Sequence, residues 1–420
     1  MDFKPSPQVE TLRERILDFM DEHIYPQERE IMEALDAEVA PGVAFPKILV
    51  EIREQAKSEG LWNLFMPDER FGPGLTNWEY GLLCEEMGRS PAAAPMAFNC
   101  AAPDTGNMEI LAEHGTDEQR ERWLEPLLEG QTRSCFAMTE PEVSGSDPTL
   151  LQARADLDGD EWVINGHKWF TSGAMGAELC IAMVVTDPDA HPYARASMIC
   201  VPTDNPGFNL VRSVPVMGHS GGPGHGEVRF EDCRVPAANL LGERAMGFVI
   251  AQDRLGPGRI HHCMRAIGTA ERALEMMCRR ANEREAFGGP LADKQFVQEA
   301  VAASRMEIDQ ARLLTMYAAW KMDTDGKRSA RQAISAIKIV AANIVMNVLD
   351  RAIQVHGALG MTDDTPLAVL WRFSRMLRLA DGPDEVHKMV LARRELNRWA
   401  KRAEAEAAGE LDPKHIARAI

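Results

Sequence analysis

The run Glu161-Trp-Val-Ile-Asn-Gly166 decides the fold class together with three short apolar runs that follow it. These runs are Cys180-Ile-Ala-Met-Val-Val185, Ser197-Met-Ile-Cys-Val201 and Glu227-Val-Arg-Phe230. Short apolar or alternating runs between turn residues are typical of β-strands. Asn165-Gly166 indicates a hairpin, since a type I′ turn needs positive φ at both central positions. We therefore predict a central antiparallel β domain over residues 131–245.

Helical patterns lie on both sides of this β block. On the N-terminal side, Thr116-Asp-Glu-Gln119 has the pattern of a capping box, and apolar residues repeat on one helical face: Val9, Leu12, Ile16, Phe19 and Met20. On the C-terminal side, helical patterns cover 252–285, 293–322, 329–355, 365–379 and 384–407, which is typical of a helical bundle. The order helix, strand, helix argues against a doubly wound α/β protein. The predicted fold class is α+β, with an N-terminal all-α domain (1–130), the β domain and a C-terminal helical bundle (246–420).

The charge balance restricts the kinds of partner. With 46 basic and 64 acidic side chains, the net charge is −18, which opposes binding to nucleic acid or to an anionic membrane surface. The longest apolar runs are far shorter than the roughly 20 residues that span a bilayer, and the N-terminus lacks a secretory pattern. Eight cysteines occur without a C-x-x-C pair. We therefore predict a soluble cytoplasmic protein with free thiols and no metal site.

Three motifs lack the structural surroundings that their usual function requires. Gly221-Gly-Pro-Gly-His-Gly226 precedes a predicted strand instead of opening a helix, so it does not indicate a dinucleotide loop. His261 and His262 are adjacent and point about 100° apart on a helix, so they cannot both bind one metal ion. The run Ser144-Gly-Ser146 lacks the strand–turn–helix context of a hydrolase nucleophile.

Five other segments combine polar, aromatic and acidic residues. They are Cys135-Phe-Ala-Met-Thr-Glu-Pro-Glu-Val-Ser-Gly-Ser-Asp147, Asn165-Gly-His-Lys-Trp-Phe-Thr-Ser-Gly-Ala174, Asn282-Glu-Arg-Glu-Ala-Phe-Gly-Gly-Pro-Leu-Ala-Asp-Lys-Gln295, Gln354-Val-His-Gly-Ala-Leu-Gly-Met361 and Ala380-Asp-Gly-Pro-Asp-Glu-Val-His387. The first supplies hydroxyls and backbone N–H groups that suit a polar heterocycle or phosphates, and the second places aromatic rings beside hydroxyls. Taken alone, a capped turn explains the first equally well, and core packing explains the second.

Together these segments resemble the acyl-CoA dehydrogenase family, in order and spacing, over nearly the whole chain. The third segment matches the family pattern especially well, with Arg284, Phe287 and Gly288 followed by Gln295. Other details resemble the branch whose animal representatives are members ten and eleven, which handle 4-hydroxyacyl-CoAs through phosphorylated intermediates. The resemblance implies FAD-dependent α,β-desaturation of an acyl-CoA by a homodimer or homotetramer, with an electron-transfer flavoprotein as electron acceptor.

The resemblance also implies the residues that bind the flavin. Two loops of the β domain line the flavin in this family, and segments of the C-terminal domain reach the flavin of a neighbouring subunit. The implied cofactor-binding residues are Phe136, Met138, Thr139, Gly145, Ser146, Phe170, Thr171, Ser172, Arg284, Phe287, Gln295, Gln354, Val355, Gly357, Ala358, Pro383 and Glu385.

Asp381 stands where the family carries its catalytic base. Removing a proton α to a thioester requires a base, and the enolate-like oxygen requires fixed hydrogen-bond donors. The usual base is glutamate, and aspartate is shorter by one methylene, about 1.5 Å of reach. A second base position used in the family corresponds to Gly258, which has no side chain. Asp384 and Glu385 remain rivals to Asp381.

The substrate-binding residues implied are Ser146, Arg254, Arg259, His261 and Gly382. Residues 254, 258, 261 and 265 share one helical face if the helix continues through Pro257. On that face Arg254, His261 and Arg265 would meet a polar or phosphorylated γ-carbon, although surface or interface charges are an alternative. The predicted substrate is therefore a 4-hydroxy- or 4-phosphoryloxy-acyl-CoA. The alternatives are an O₂-using acyl-CoA oxidase or flavin monooxygenase of the same fold, and a non-catalytic binding protein.

Overall fold

The N-terminal part of the chain is helical. The computed structural model describes residues 4–37, 44–218 and 224–408. Helix α1 begins after Ser6, whose side chain accepts a hydrogen bond from the Val9 N–H. The predicted capping box at Thr116 and Gln119 is confirmed. The helices are α1 (Pro7–Phe19), α2 (Glu28–Asp36), α3 (Lys47–Ser58), α4 (Asn77–Met87), α5 (Ala93–Ala97), α6 (Asp104–His114), α7 (Asp117–Gln119) and α8 (Glu125–Leu128).

Among the described residues, eight strands form one mixed sheet. They are β1 (Ser134–Ala137), β2 (Arg154–Asp158), β3 (Glu161–Ser172), β4 (Leu179–Val185), β5 (Ala196–Pro202), β6 (Phe208–Ser213), β7 (His225–Pro236) and β8 (Leu240–Leu241). Their order is β6-β7-β3-β2-β4-β5-β8, with β1 beside β4. Most pairs are antiparallel as predicted, but β1 and the start of β2 run parallel to β4. Strand β4 is buried along its whole length, which explains its unbroken apolar sequence.

The predicted hairpin at Asn165-Gly166 is wrong. Strand β3 runs through both residues, and the turn that joins it to β2 lies earlier, where Gly159 has a φ of 65°. Between Ile164 and Gly166 the pairing of β3 with β7 changes register. A Cβ added at Gly166 would lie only 2.3 Å from Ala153 Cβ. The glycine is therefore explained by a close approach of neighbouring strands within the sheet, and pairing on both sides of β3 overrides the local turn preference.

The C-terminal part is a helical bundle, as predicted. It consists of α9 (Gly247–Glu283), α10 (Gln295–His356), α11 (Leu367–Arg375) and α12 (Asp384–Ala407). Gly326, with φ 81° and ψ 163°, interrupts α10 and divides it into two halves that match two predicted helices. Arg351 in the second half pairs with Glu307 in the first at 2.8 Å. The two halves of α10 therefore fold back against each other.

The segment Gln295–Met361 is long and apolar enough to cross a membrane by its length and composition. Half of its most apolar stretch is buried inside the protein, and Gly326 interrupts it. A helix at the centre of a bundle has the same composition. We therefore interpret this segment as a core element of the bundle.

Helices α4 and α9 cross closely at two glycines. A Cβ added at Gly88 would lie 2.3 Å from the Arg265 backbone oxygen, and one added at Gly268 would lie 1.8 Å from the Glu85 backbone oxygen. The Thr269 hydroxyl also donates a hydrogen bond to the Gly88 oxygen at 2.7 Å. The crossing fixes the rotation of α9, and therefore the directions in which its polar side chains point.

We expect Gly268→Ala to lower the free energy of unfolding by about 1–3 kcal/mol, because the added methyl group forces two backbones apart. Gly258→Ala is the matched control in the same helix, since a Cβ there would meet nothing within 4 Å. Alanine favours a helix over glycine by about 1 kcal/mol, so this control should be slightly more stable than the wild type. Denaturant unfolding followed by circular dichroism measures both changes. Equal stability of the two variants would contradict the tight crossing.

Candidate active site

Asp381 lies in the turn between α11 and α12. Its φ is 55°, and that of Gly382 is 102°; aspartate tolerates positive φ better than most residues other than glycine. The Asp381 backbone oxygen accepts hydrogen bonds from Arg259 Nε at 3.0 Å and from His387 Nε2 at 3.2 Å. These two bonds tie the turn to α9 on one side and to α12 on the other.

The Asp381 carboxylate lies in a largely buried, positively charged environment. Its side chain is 20% exposed, and its Oδ2 lies 3.4 Å from His262 Nε2. Burial alone would raise the pKa of the Asp381 carboxyl, but neighbouring basic groups outweigh burial and hold that pKa below its ordinary value. These groups are His262, whose Nε2 faces the carboxylate, and the cationic side chains of Lys338, Arg259 and Arg254. The carboxylate is therefore ionised at neutral pH and able to accept a proton.

The two rival carboxylates have different surroundings. Asp384 is buried at the start of α12, where its Oδ2 accepts hydrogen bonds from Arg378 Nε at 2.8 Å and from Asn343 Nδ2 at 3.1 Å. A carboxylate held in this way ties three elements together and is poorly placed to take a proton. Glu385 is exposed on the first turn of α12. Of the three acidic residues, Asp381 has the surroundings that best fit a base.

The polar residues of α9 point in different directions. The helix continues through Pro257, as the predicted shared face requires. His261 is buried, and its ring lies edge-on to that of Tyr80 with 4.7 Å between centroids. It faces the N-terminal helices, so the structure does not support the predicted substrate contact of His261. Its neighbour His262 was rejected above as a metal ligand and was not predicted as a site residue. It is His262 that faces Asp381.

Arg254 connects the Asp381 region with the β domain. Its Nε donates a hydrogen bond to Asn107 Oδ1 at 2.9 Å, and its guanidinium lies 4.1 Å from the centre of the Phe136 ring. Arg254 also acts electrostatically on Asp381. The structure therefore places the predicted substrate residue Arg254 between the predicted base and a predicted flavin contact.

Two predicted flavin loops lie side by side: the Thr139 loop, residues 135–147, and the Phe170 loop, residues 165–174, which includes the end of β3. The Trp169 N–H donates a hydrogen bond to the Thr139 oxygen at 3.0 Å. Phe170 is 40% exposed and has a φ of 49°, so an aromatic face is presented at the surface of the β domain. The Thr171 hydroxyl is fully buried but has no hydrogen-bond partner within the described part of the chain. An exposed aromatic ring beside an unpaired hydroxyl fits a planar heterocycle with polar edges.

A buried ion pair joins these two loops. Lys168 Nζ donates hydrogen bonds to Glu140 Oε1 at 2.8 Å and to the backbone oxygens of Met138 and Met183. The Lys168 side chain is 0% exposed and that of Glu140 is 1% exposed. Lysine and glutamate usually lie at the surface, so no sequence pattern predicts this pair. Met138, a predicted flavin contact, is thus held through its backbone.

The remaining predicted flavin residues are in different places. Ser172 Oγ lies 2.8 Å from His225 Nδ1, Gly145 and Ser146 are exposed, and Pro383 and Glu385 flank the Asp381 turn. Within the ranges that the structure describes, no hydrogen bond, ion pair or ring contact joins the other residues to the two loops; they are Arg284, Phe287, Gln295, Gln354, Val355, Gly357 and Ala358. A single chain therefore brings together only part of the predicted flavin site.

The glycine-rich run lies beside the second flavin loop. Residues 221–223 are outside the described part of the chain, but the Gly224 oxygen accepts a hydrogen bond from the Gly173 N–H at 3.0 Å. Strand β7 begins directly afterwards, at His225. The run is followed by a strand as predicted, so it does not form the strand–loop–helix of a dinucleotide site.

Family models and individual relatives match the chain along almost its full length. The N-terminal, middle and C-terminal domain models of acyl-CoA dehydrogenase match residues 6–131, 135–233 and 245–396. FadE2 of Mycobacterium tuberculosis, a probable acyl-CoA dehydrogenase, is 51% identical over 400 residues, which cover 95% of this chain and 98% of that protein. Acyl-CoA dehydrogenase family member 10 of Mus musculus is 48% identical over 408 residues, 95% of this chain but 38% of the mouse protein.

A solved structure shows the same fold. The Mycobacterium abscessus protein assigned as an acyl-CoA dehydrogenase is 47% identical, with a TM-score of 0.90 over 94% of this chain and 100% of that chain. The helical, sheet and helical parts described above follow the order of the three domain models. The chain therefore belongs to the acyl-CoA dehydrogenase family, flavoprotein oxidoreductases that act on CH–CH bonds, in the branch that includes members ten and eleven.

Proposed function

We propose that this chain desaturates an acyl-CoA thioester between its α- and β-carbons with FAD as cofactor, and that Asp381 removes the α-proton. The observation that carries the proposal is the Asp381 carboxylate, which is four-fifths buried and kept ionised by surrounding basic groups. Bound FAD would accept the β-hydride at its N5 atom. The residues that would hold its ring system are those of the Thr139 and Phe170 loops.

The surroundings of Asp381 suit proton removal. When an acyl chain displaces water from the carboxylate, the loss of solvent raises the pKa of Asp381 toward that of the α-proton. The thioester oxygen, on which negative charge develops, needs hydrogen-bond donors. The backbone N–H groups of Asp381 and Gly382 have no acceptor among the residues described. These donors are therefore free to bind that oxygen.

The unpaired hydroxyl of Thr171 provides a test of the flavin site. Because a side-chain hydrogen bond contributes about 1 kcal/mol or somewhat more, we expect Thr171→Val to weaken FAD binding about five- to tenfold. Thr171→Ser retains the hydroxyl and is the matched control. Recovery of flavin fluorescence on dilution of the holoenzyme measures the affinity. If valine binds FAD as tightly as threonine, the hydroxyl does not contact the cofactor.

We further propose that the substrate is a 4-hydroxy- or 4-phosphoryloxy-acyl-CoA. The chain carries a net charge of −18, yet the Asp381 region concentrates positive charge. Arg254 and Arg259 are both half-buried there, and Lys338 is 3% exposed. Buried positive charge beyond the need of one carboxylate would bind a second anionic group, and a phosphoryl group on the γ-carbon would supply it.

Anaerobic bleaching of the flavin tests the substrate. We expect a 4-phosphoryloxy-acyl-CoA to reduce the flavin with a higher kcat/KM than the unsubstituted thioester of the same chain length. Arg254→Met should then lower kcat/KM at least about tenfold for the phosphoryloxy substrate, because a charge-assisted hydrogen bond is lost. The unsubstituted thioester is the internal control, with a change of less than threefold. An equal loss for both substrates would contradict a role of Arg254 in recognising the substituent.

We propose an electron-transfer flavoprotein as electron acceptor and a homodimer or homotetramer as the active form. Phe287 is 98% exposed and Phe296 is 91% exposed, beside the predicted flavin contacts Arg284 and Gln295. A second copy of the chain that covered this apolar surface would meet those residues.

The proposed electron acceptor has its own test. Air oxidation of the reduced enzyme at turnover rates would indicate an oxidase instead of an enzyme that uses an electron-transfer flavoprotein. A cytoplasmic location stays a prediction.

A further inference from the structure

Three side chains form a line that ends at the proposed base. Arg265 NH2 lies 3.0 Å from His262 Nδ1, and His262 Nε2 lies 3.4 Å from Asp381 Oδ2. Arg265 is 9% exposed, and its NH1 contacts the buried thiol of Cys84 at 3.6 Å. Its backbone packs against Gly88 at the crossing of α4 and α9. Both ends of the line are therefore anchored by the fold.

The arginine determines which ring nitrogen of His262 carries the proton. A guanidinium can only donate hydrogen bonds, so Nδ1 must accept and the neutral ring must carry its proton on Nε2. Burial, together with the adjacent charge of Arg265, lowers the pKa of His262 to about 3. His262 is therefore neutral at working pH, and its Nε2–H faces the carboxylate of Asp381.

We infer that His262, oriented by Arg265, is a positioning residue for the Asp381 carboxylate. The inference rests on the proposed function. A donor at Oδ2 fixes the rotation of the carboxylate and leaves Oδ1 to take the α-proton, while His262 keeps its own proton. The 3.4 Å between His262 Nε2 and Asp381 Oδ2 is longer than an ordinary hydrogen bond, and catalytic hydrogen bonds often form fully only when substrate binds. An aspartate base, shorter than glutamate, has less freedom to reach its substrate if it is misdirected.

The other charged or titratable groups around Asp381 do not orient its carboxylate. Arg259 and His387 donate to its backbone oxygen, not to its side chain. Lys338 donates to the Leu377 oxygen, and Arg254 is engaged with Asn107. From α9, α10 and α12, the groups that face Asp381 are Arg254, Arg259, His262, Cys263, Lys338 and His387. Within the described chain, the only hydrogen bond or ion pair reaching the Asp381 carboxylate is with His262.

Proton removal can be measured apart from hydride transfer with a 3-thiaacyl-CoA. Its α-protons are acidic, but its β-sulfur has no hydride to give, so deprotonation is seen as a long-wavelength charge-transfer band with oxidised FAD. Stopped-flow measurement at saturating analogue gives the rate of band formation and its dependence on pH. The variants are His262→Leu, which removes the donor, and His262→Gln, whose amide nitrogen can replace Nε2. His261→Leu removes the adjacent buried imidazole, which has no hydrogen bond or ion pair with Asp381 in the described part of the chain.

In His262→Leu we expect the charge-transfer band to form about tenfold more slowly or slower still. We also expect the acidic limb of the pH profile of this rate to move to higher pH. The sign follows because losing a donor destabilises the carboxylate and raises the pKa of Asp381. His262→Gln should recover the rate to within about threefold of wild type, which a general packing role would not allow. His261→Leu should lower thermal stability but leave the acidic limb unchanged.

Two results would contradict the inference in distinguishable ways. If the wild type forms the band and His262→Leu forms it at the same rate and pH, His262 does not position the base, and the proposed function stands. The same holds if His262→Gln behaves like His262→Leu. If the wild-type holoenzyme deprotonates no acyl-CoA analogue, the proposed function and this inference both fail.

Discussion

Asp381→Asn is expected to slow flavin reduction by an acyl-CoA about 10²- to 10⁴-fold, because the variant keeps the shape of the side chain and loses its basicity. The same turn, with Asp381 and Gly382 at positive φ, accommodates asparagine without strain. FAD content should therefore be unchanged, since Asp381 is not among the predicted flavin contacts. Anaerobic stopped-flow bleaching, with FAD content measured on the same samples, separates the loss of proton removal from a loss of cofactor.

The stability of the Asp381→Asn variant should depend on pH. The pKa of Asp381 is held below its ordinary value in the folded protein, so ionisation stabilises the fold above the ordinary carboxyl pKa and this contribution disappears as the pH falls. The variant should thus melt slightly below wild type at pH 7, and the difference should shrink in acid.

Bleaching at the wild-type rate would show that another group is the base, with the rival carboxylate Glu385 to be tested next.

Local patterns predicted those parts of the fold that depend on neighbours in sequence. The capping box at Thr116, the break between the two halves of α10 near Gly326 and the start of α12 at Asp384 all follow from short-range hydrogen bonding and backbone preference. The hairpin expected at Asn165-Gly166 did not form. Pairing with distant strands decides that backbone, and a local turn signal carries no information about such pairing.

The composition of the site was harder to predict for the same reason. The helix continues through residues 254 to 265 as predicted, but the crossing of α4 and α9 sets its rotation, so His261 meets Tyr80 and His262 meets Asp381. One residue of difference along a helix turns a side chain by about 100°. Which of two adjacent histidines faces the base therefore depends on where a different helix packs.

Lys168→Met is expected to destabilise the protein by about 3–5 kcal/mol, the usual cost of removing one partner of a buried ion pair. Glu140 would keep the hydrogen bonds from the Gln152 and Ala153 N–H groups, at 2.7 and 3.0 Å. It would nevertheless remain a buried carboxylate without a counter-charge. The backbone oxygens of Met138 and Met183 would also lose their donor. Because several domains need not unfold together, the apparent melting temperature is the appropriate measurement.

The position of this pair also predicts a functional loss. Lys168 lies in β3 two residues before Phe170 and joins that strand to the backbone at Met138, so it holds the two flavin loops in register. Lys168→Met should therefore weaken FAD binding as well as stability. The double variant Glu140→Gln with Lys168→Met should be less damaged than Lys168→Met alone, because no uncompensated charge remains. Arg154→Met, which breaks the exposed pair with Asp156 in the same domain, is the control and should change little. If Lys168→Met is as stable as this surface variant, the pair is not what holds the loops together.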